Sequence, residues 1–306
     1  MKKFIVFLLL ISLFLVPPLT ASDGFDFIFD EEVETEEKAS SSFDIAGKVS
    51  TGLQAIINTN NLQKSELSPF ANLNFSLNYT HPSLEGNVEL FLPALNEKIV
   101  SYKDIIKELS LSYYIPQGKI QAGYFIHRWG VVDTARVVDF INANDYSSGL
   151  KMDQLEMKIS EPMILAQLFL DTSQLELIYK PIFTPIQLAT SGRWDTTPDS
   201  YSNLISAIST SGKTITYEIP STNTLDYGSF GVRYQTPIGS VDTAIMYYRG
   251  YYERPGLTFT PPPAPPFSDT TIETTYTMMN IIGTEMSYVT GPFTFAAEGA
   301  LYLSED

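Results

Sequence analysis

The sequence predicts an all-β fold: an antiparallel transmembrane β-barrel of about eleven strands, stopping before its wall is complete. Three observations carry the prediction. From Phe43 onward apolar and polar residues alternate with period two, in runs near the roughly 9–11 residues that a tilted spanning strand needs. Tyrosines and phenylalanines gather near run ends, as at Tyr113-Tyr114 and Tyr247-Tyr248, like an interfacial girdle. Short turns alternate with long connections, the rhythm of a barrel with short periplasmic turns and long outer loops. Alternation alone also fits a soluble sandwich. Run length, the aromatic girdle and an export signal select the barrel.

That signal is read at the N-terminus. Lys2 and Lys3 precede an apolar core, Phe4 to Val16, which Pro17-Pro18 breaks before the small residues Thr20, Ala21 and Ser22. Residues 1–22 thus read as a secretory signal peptide, too short for a spanning helix. No cysteine follows it, so a lipoprotein anchor is excluded. Residues 23–42 carry eight acids against Lys38, a net −7, and read as an acidic disordered linker. The barrel is assigned to 43–306.

The strands follow in order. Phe43 to Ile57 alternates with Leu53 and Ala55 on the apolar face and Lys48 and Gln54 opposite. Leu73, Phe75 and Leu77 oppose Asn72, Asn74 and Asn78; Val88 and Leu90 oppose Asn87 and Glu89. Leu109 and Leu111 oppose Glu108 and Ser110; Ala122, Tyr124 and Ile126 oppose Gln121, Gly123 and His127. Later runs span 164–171, 175–181, 229–236, 240–251, 277–289 and 293–303. Turn residues at 81–83, 116–118, 171–173, 237–239 and 290–292 join neighbours. Connections at 58–69, 96–104, 129–162, 182–226 and 252–276 are long, with Met152–Ile159 placed in the third. Pro261 to Pro266 stiffens the fifth, while the Ser/Thr-rich fourth is free to fold inward or stay mobile. Eleven is an odd number, and single-chain bacterial barrels are even-stranded. The reading therefore expects a fragment of a longer barrel, with an unpaired seam.

Composition narrows the function. The chain has no cysteine, and its two histidines, His81 and His127, are far apart, so no metal centre or other cofactor is expected. A net charge of −16 argues against nucleic acid as a partner. No Gly-x-Ser-x-Gly elbow accompanies His127, so no enzyme is expected. Asp139, Asn142, Asn144 and Asp145 offer oxygen ligands for calcium, but their spacing is not that of an EF-hand loop, and turn formation explains them better.

One stretch breaks the alternation: Gly123 to Gly130, ending Arg128-Trp129-Gly130, followed by Val131-Val132, Val137-Val138 and Asp139 to Tyr146. Either an aromatic and a cation cap a strand at the membrane boundary, or a functional lip begins here. The apolar pairs need a burial surface, and the barrel's inner wall is the nearest. The stretch is therefore expected to fold inward as a constriction, with Arg128 and Trp129 at its entrance. Asp133, Arg136 and Asp139 would be its charges, and Asn142 to Asp145 its return turn. Glu89, Glu108, Arg233, Glu285 and Glu298 lie on the polar face of their runs and are expected to face the lumen, along with Glu176, Lys48 and Lys180. They either pair and fill the interior or line a wet, mildly cation-preferring channel. The chain length favours the wider barrel.

This stretch resembles the motif of an uncharacterised family of bacterial outer-membrane β-barrels related to alginate-export and porin-like barrels. The matching residues are Gly123, Trp129, Gly130, Asp139, Ile141, Asn142 and Asp145, with Ala143 where the family usually has proline. A second patch is similar: Ile282 to Glu285 and Phe295 to Ala300. The resemblance implies an outer-membrane address, lipid as surroundings, and passage of small polar solutes, saccharides among them. Two other functions stay open: a surface structural or adhesive barrel using its long loops, and a transporter of hydrophobic compounds. The solute, ion selectivity, gating and oligomeric state are not legible.

Overall fold

The computed structural model describes residues 41–56, 66–95, 105–132, 137–151, 154–190 and 194–305. All belong to one of two units of the chain, Ala39–Asp306. The expected signal peptide and nearly all of the linker lie outside the described residues.

Eleven strands form one antiparallel sheet in chain order. They are β1 (Ser42–Ile56), β2 (Glu66–His81), β3 (Leu84–Leu95), β4 (Ile106–Ile115), β5 (Gly118–Phe125), β7 (Glu161–Leu170), β8 (Ser173–Lys180), β11 (Ser229–Ile238), β12 (Val241–Tyr251), β15 (Met278–Thr290) and β16 (Phe293–Ser304). Each strand pairs only with its sequence neighbours in this sheet, and all five tight turns fall where Pro, Gly, Asp and Ser were read. The strand count and turn positions agree with the sequence. Among the described residues no register joins β1 to β16.

The period-two pattern sets the two faces. Leu111, Ile164, Ile245, Ile282, Phe293 and Phe295 are exposed on one face; Leu111 is 53% and Phe293 65% exposed. The opposite face carries Ser110, Ser112, Glu176, Lys180 and Glu285, all buried. A soluble sandwich buries its apolar faces between sheets. Here the apolar face points outward and the polar one inward, the arrangement of an antiparallel transmembrane β-barrel wall.

The short turns lie at one end of this wall and the long connections at the other. Two of those connections contain structure that the sequence reading did not anticipate. Residues 182–226 hold a helix, Asp199–Thr210, and the strand β10 (Ile215–Glu218). Residues 252–276 hold β13 (Gly256–Thr260) and β14 (Thr270–Thr275). The small sheet β10-β14-β13 joins the two connections, because β10 and β14 pair in parallel. Tyr201 of the helix meets Phe259 edge-on at 6.3 Å, and Ile208 and Ile272 are fully buried. A few apolar residues at helical and strand spacing, Ile208 and Ile272 among them, hold these elements together within the Ser/Thr-rich sequence.

The described part of Met152–Ile159, residues 154–159, lies in the third connection, as expected, with one short turn of 3-10 helix at Gln154–Met157. That connection ends earlier than Pro162. The proline is inside β7, opposite Tyr124.

Candidate functional site

The site is built where the third connection meets the wall. After Phe125 the chain leaves the sheet and runs along its inner face. Trp129, Val138 and Ile141 are buried there against Phe125 of β5, Met163 and Leu165 of β7, Ile178 of β8, Met246 and Tyr248 of β12, and Ile281 of β15. The reason is the one the sequence offered: an apolar run must be buried, and small wall residues leave room for it. A Cβ on Gly231 would lie 2.7 Å from the Trp129 ring, and one on Gly283 would lie 3.0 Å from Val138. Phe140 extends the packing, meeting Trp129 at 5.7 Å and Tyr248 at 5.2 Å between ring centroids. Of the two valine pairs only Val138 is fully buried; Val131 and Val137 stay partly exposed.

Glu298 of β16 pins the loop. Its Oε1 accepts the backbone N–H of Val131 and of Val132, both at 2.7 Å. Its Oε2 accepts those of Val137 at 2.9 Å and Val138 at 3.4 Å. One carboxylate thus collects four loop amides, two on exposed and two on part-buried residues. Gly130 makes this approach feasible. Its φ is +106°, and a Cβ there would stand 2.7 Å from Glu298 Oε1.

A second carboxylate, Glu176 of β8, holds the loop's entrance. Trp129 donates its indole N–H to Glu176 Oε2 at 2.8 Å, and His127 Nε2 lies 3.2 Å from the same oxygen. Gln167 and Gln174 donate to Oε1 at 2.7 and 3.0 Å. Arg233 stands 3.6 Å from Glu176 and closes a tight ion pair with Glu285. Among the described residues Glu176, His127, Arg233 and Glu285 on this part of the inner face therefore meet one another.

The return turn is held by two buried lysines. Lys180 of β8 donates to the Ile141 carbonyl at 2.6 Å and to Glu161 Oε2 at 3.0 Å, while that oxygen also accepts the Ala143 N–H at 2.9 Å. Lys158 donates to the carbonyls of Asp139 and Asn142 and lies 3.2 Å from Asp139 Oδ1. Asn142, 2% exposed, ties three segments. Its Oδ1 accepts the His127 N–H, and its Nδ2 donates to the carbonyls of Phe125 and Ile159. Asp145 accepts the Ser147 N–H and opens the two-residue strand β6 (Asp145–Tyr146), which pairs with β9 (Gln187–Leu188). Burial, with Glu253 nearby, pushes the Tyr146 hydroxyl above its ordinary range. Asp139 and Asn142 both meet Lys158, and Asp145 accepts from Ser147, so the three belong to one braced turn.

The structure thus brings Trp129, Asp139, Asn142 and Asp145 into one inward loop and sets Glu298, Glu285 and Arg233 against or beside it. Arg128 is exposed, and Asp133 and Arg136 lie outside the described residues. Glu89 and Glu108 sit elsewhere, opposite each other on β3 and β4, with Ser110 donating to Glu108 at 2.6 Å. Trp129 is interior, 1% exposed, so it is not an interfacial cap. Lys158 and Glu161 escaped sequence reasoning. An isolated lysine in a loop and an acid beside Pro162 carry no pattern that separates them from surface charges. The two sequence patches singled out for resemblance, 123–145 and 282–300, prove to be one structural unit, joined at Glu298 and Gly283.

No protein-family model matches the chain, and no curated protein matches it. Among solved structures, OmpF of Salmonella typhi, in complex with daunomycin, is similar at a TM-score of 0.38 and 11% identity, over 84% of this chain and 65% of that one. OmpT, an outer membrane protein of Vibrio cholerae in trimer form, is similar at a TM-score of 0.29 and 9% identity, over 87% of this chain and 79% of that one. Both likenesses are distant. The chain spans about 65% of the length of that OmpF.

Proposed function

We propose that this chain forms the wall of a bacterial outer-membrane β-barrel and acts as a porin-like channel for small polar solutes, saccharides among them. In this reading the loop after Phe125 is the constriction. The supporting observation is that this loop crosses the inner face from β5 to β16 and is fastened at three separate points: Glu176, Glu298 and the Lys180–Glu161 pair. A surface loop would not need three anchors, two of them buried. Fixed charges and dipoles in a narrow passage bias which solutes enter. Passage runs beside the loop, on the side of β1–β5, whose inner face carries Asn72, Asn74, Asn87 and Glu108.

The test is conductance in planar bilayers, comparing the intact chain with a deletion of residues 133–142. The reading expects a stable pore, with larger conductance and flatter ion selectivity after deletion, and unchanged membrane insertion. Silence from both proteins, despite insertion, would sink the channel reading and favour a surface structural or adhesive barrel.

A further inference from the structure

A cleft of about 500 Å³ opens between the return turn of the inward loop and the loop end of β12 and β15. Its volume falls within the roughly 300–1,000 Å³ of small-molecule sites. Its walls are of two kinds. Aromatic rings supply flat apolar faces: Phe140 from the loop, Tyr251 and Tyr252 from the end of β12, and Phe183 beyond β8. Phe183 is locked by rings on several sides, 5.5 Å from Tyr251 and 5.0 Å from Tyr276, so this aromatic wall is formed before any ligand arrives.

The polar part is balanced. Two acids, Asp139 and Glu253, and two bases, Lys180 and Arg254, border the cleft, a net of zero. Lys180 already faces Glu161, and Asp139 faces Lys158. Asn144 donates to Glu253 at 3.4 Å. A chain of net charge −16 with a charge-neutral, aromatic cleft at the mouth is not built to concentrate ions there. An ion of either sign would meet two opposite and two like charges there, so neither gains a net attraction. An uncharged ligand with a hydrocarbon face and a hydroxyl rim needs no such attraction. Its C–H face lies on the rings, and its hydroxyls can both donate and accept.

We infer that this cleft is a binding site for an uncharged saccharide of one or two rings, seated on Tyr251 and Tyr252 with its hydroxyls toward Glu253 and Arg254. The site deepens the channel reading, on which its role in uptake rests, but binding itself does not depend on conduction.

The experiment is saturation-transfer NMR of the full chain in nanodiscs, with cellobiose and, separately, digalacturonate. Cellobiose should show transfer concentrated on its ring C–H protons, and digalacturonate should show at least tenfold weaker binding. Tyr252→Ala and Glu253→Gln should each weaken cellobiose binding about tenfold. Tyr252 is partly exposed and outside the buried core, so its loss leaves the fold intact, and fluorescence of Trp129 in a Trp194→Phe background checks that. Unaltered cellobiose binding in both variants would overturn the location. Digalacturonate binding as tightly as cellobiose would overturn the uncharged class, and no binding of either would overturn the site. Binding without conductance leaves this site standing while the channel reading falls; conductance without binding does the reverse.

Discussion

Glu298→Gln asks whether the wall holds the loop. The carboxylate accepts four loop amides, two on each oxygen. Glutamine keeps one oxygen. Its amide group then turns N–H toward two backbone N–H donors, and no acceptor is left for that pair. A hydrogen bond to a charged group contributes about 1.5–3 kcal/mol net, and a donor left unpaired costs a similar amount. The 3.4 Å contact is weak, and Glu298 is only partly buried, so the lower end applies: about 2 kcal/mol in all. Removing the charge also relieves repulsion from Glu285, directly opposite on β15, but Arg233 already compensates Glu285 and the relief is small. About 2 kcal/mol shifts the docked-to-released ratio of the loop roughly thirtyfold. Amide hydrogen exchange, read by mass spectrometry in detergent micelles, should be about thirtyfold faster over 131–138, with the strands of the wall unchanged. If that segment exchanges at the parent rate, Glu298 does not hold the loop and the three-anchor argument loses its central member.

Gly231→Ala places a methyl 2.7 Å from the Trp129 ring, so the indole must move; in a Trp194→Phe background its fluorescence should shift to longer wavelength, and an unchanged spectrum would mean the ring has slack. Lys180→Met leaves Glu161 buried without its partner and should cost about 3–5 kcal/mol in unfolding experiments, whereas Lys180→Met with Glu161→Leu should recover most of it. Failure of the double variant to recover would show that the carbonyl of Ile141 and the N–H of Ala143 matter more than the ion pair. Leu111→Lys on the outward face should cost about 2–4 kcal/mol near midplane, while Asn74→Lys on the inward face should be tolerated; equal effects on folding yield would mean that the two faces are misassigned.

The wall was legible because its information is local. A period of two fixes which side chains share a face, and Gly, Pro, Asp and Ser between runs fix the turns, so eleven strands and five hairpins follow without knowing the partners. The small outer sheet was not legible, because β10 and β14 pair in parallel across fifty residues of chain, and each is too short to show a period. The inward loop stood between these cases. The pairs Val131-Val132 and Val137-Val138 announced a need for burial, which only Val138 meets fully, and Trp129-Gly130 marked where the chain leaves the strand. Nothing nearby named Glu298, because its polar-face position on β16 looks the same whether it meets water or four amides. Glu161 illustrates the limit most sharply. It is fully buried, yet in the sequence it is one acid before a proline, and only the arrival of Lys180 from the next strand and of Ala143 from the loop makes it part of the site. Burying that pair costs desolvation that packed apolar residues would avoid. Its use here ties the return turn to one register on the wall, because a slip of one residue along β8 would point Lys180 outward and leave Glu161 alone. The charges that meet on the inner face therefore set where the loop lies, while the buried apolar residues account for why it lies inside at all.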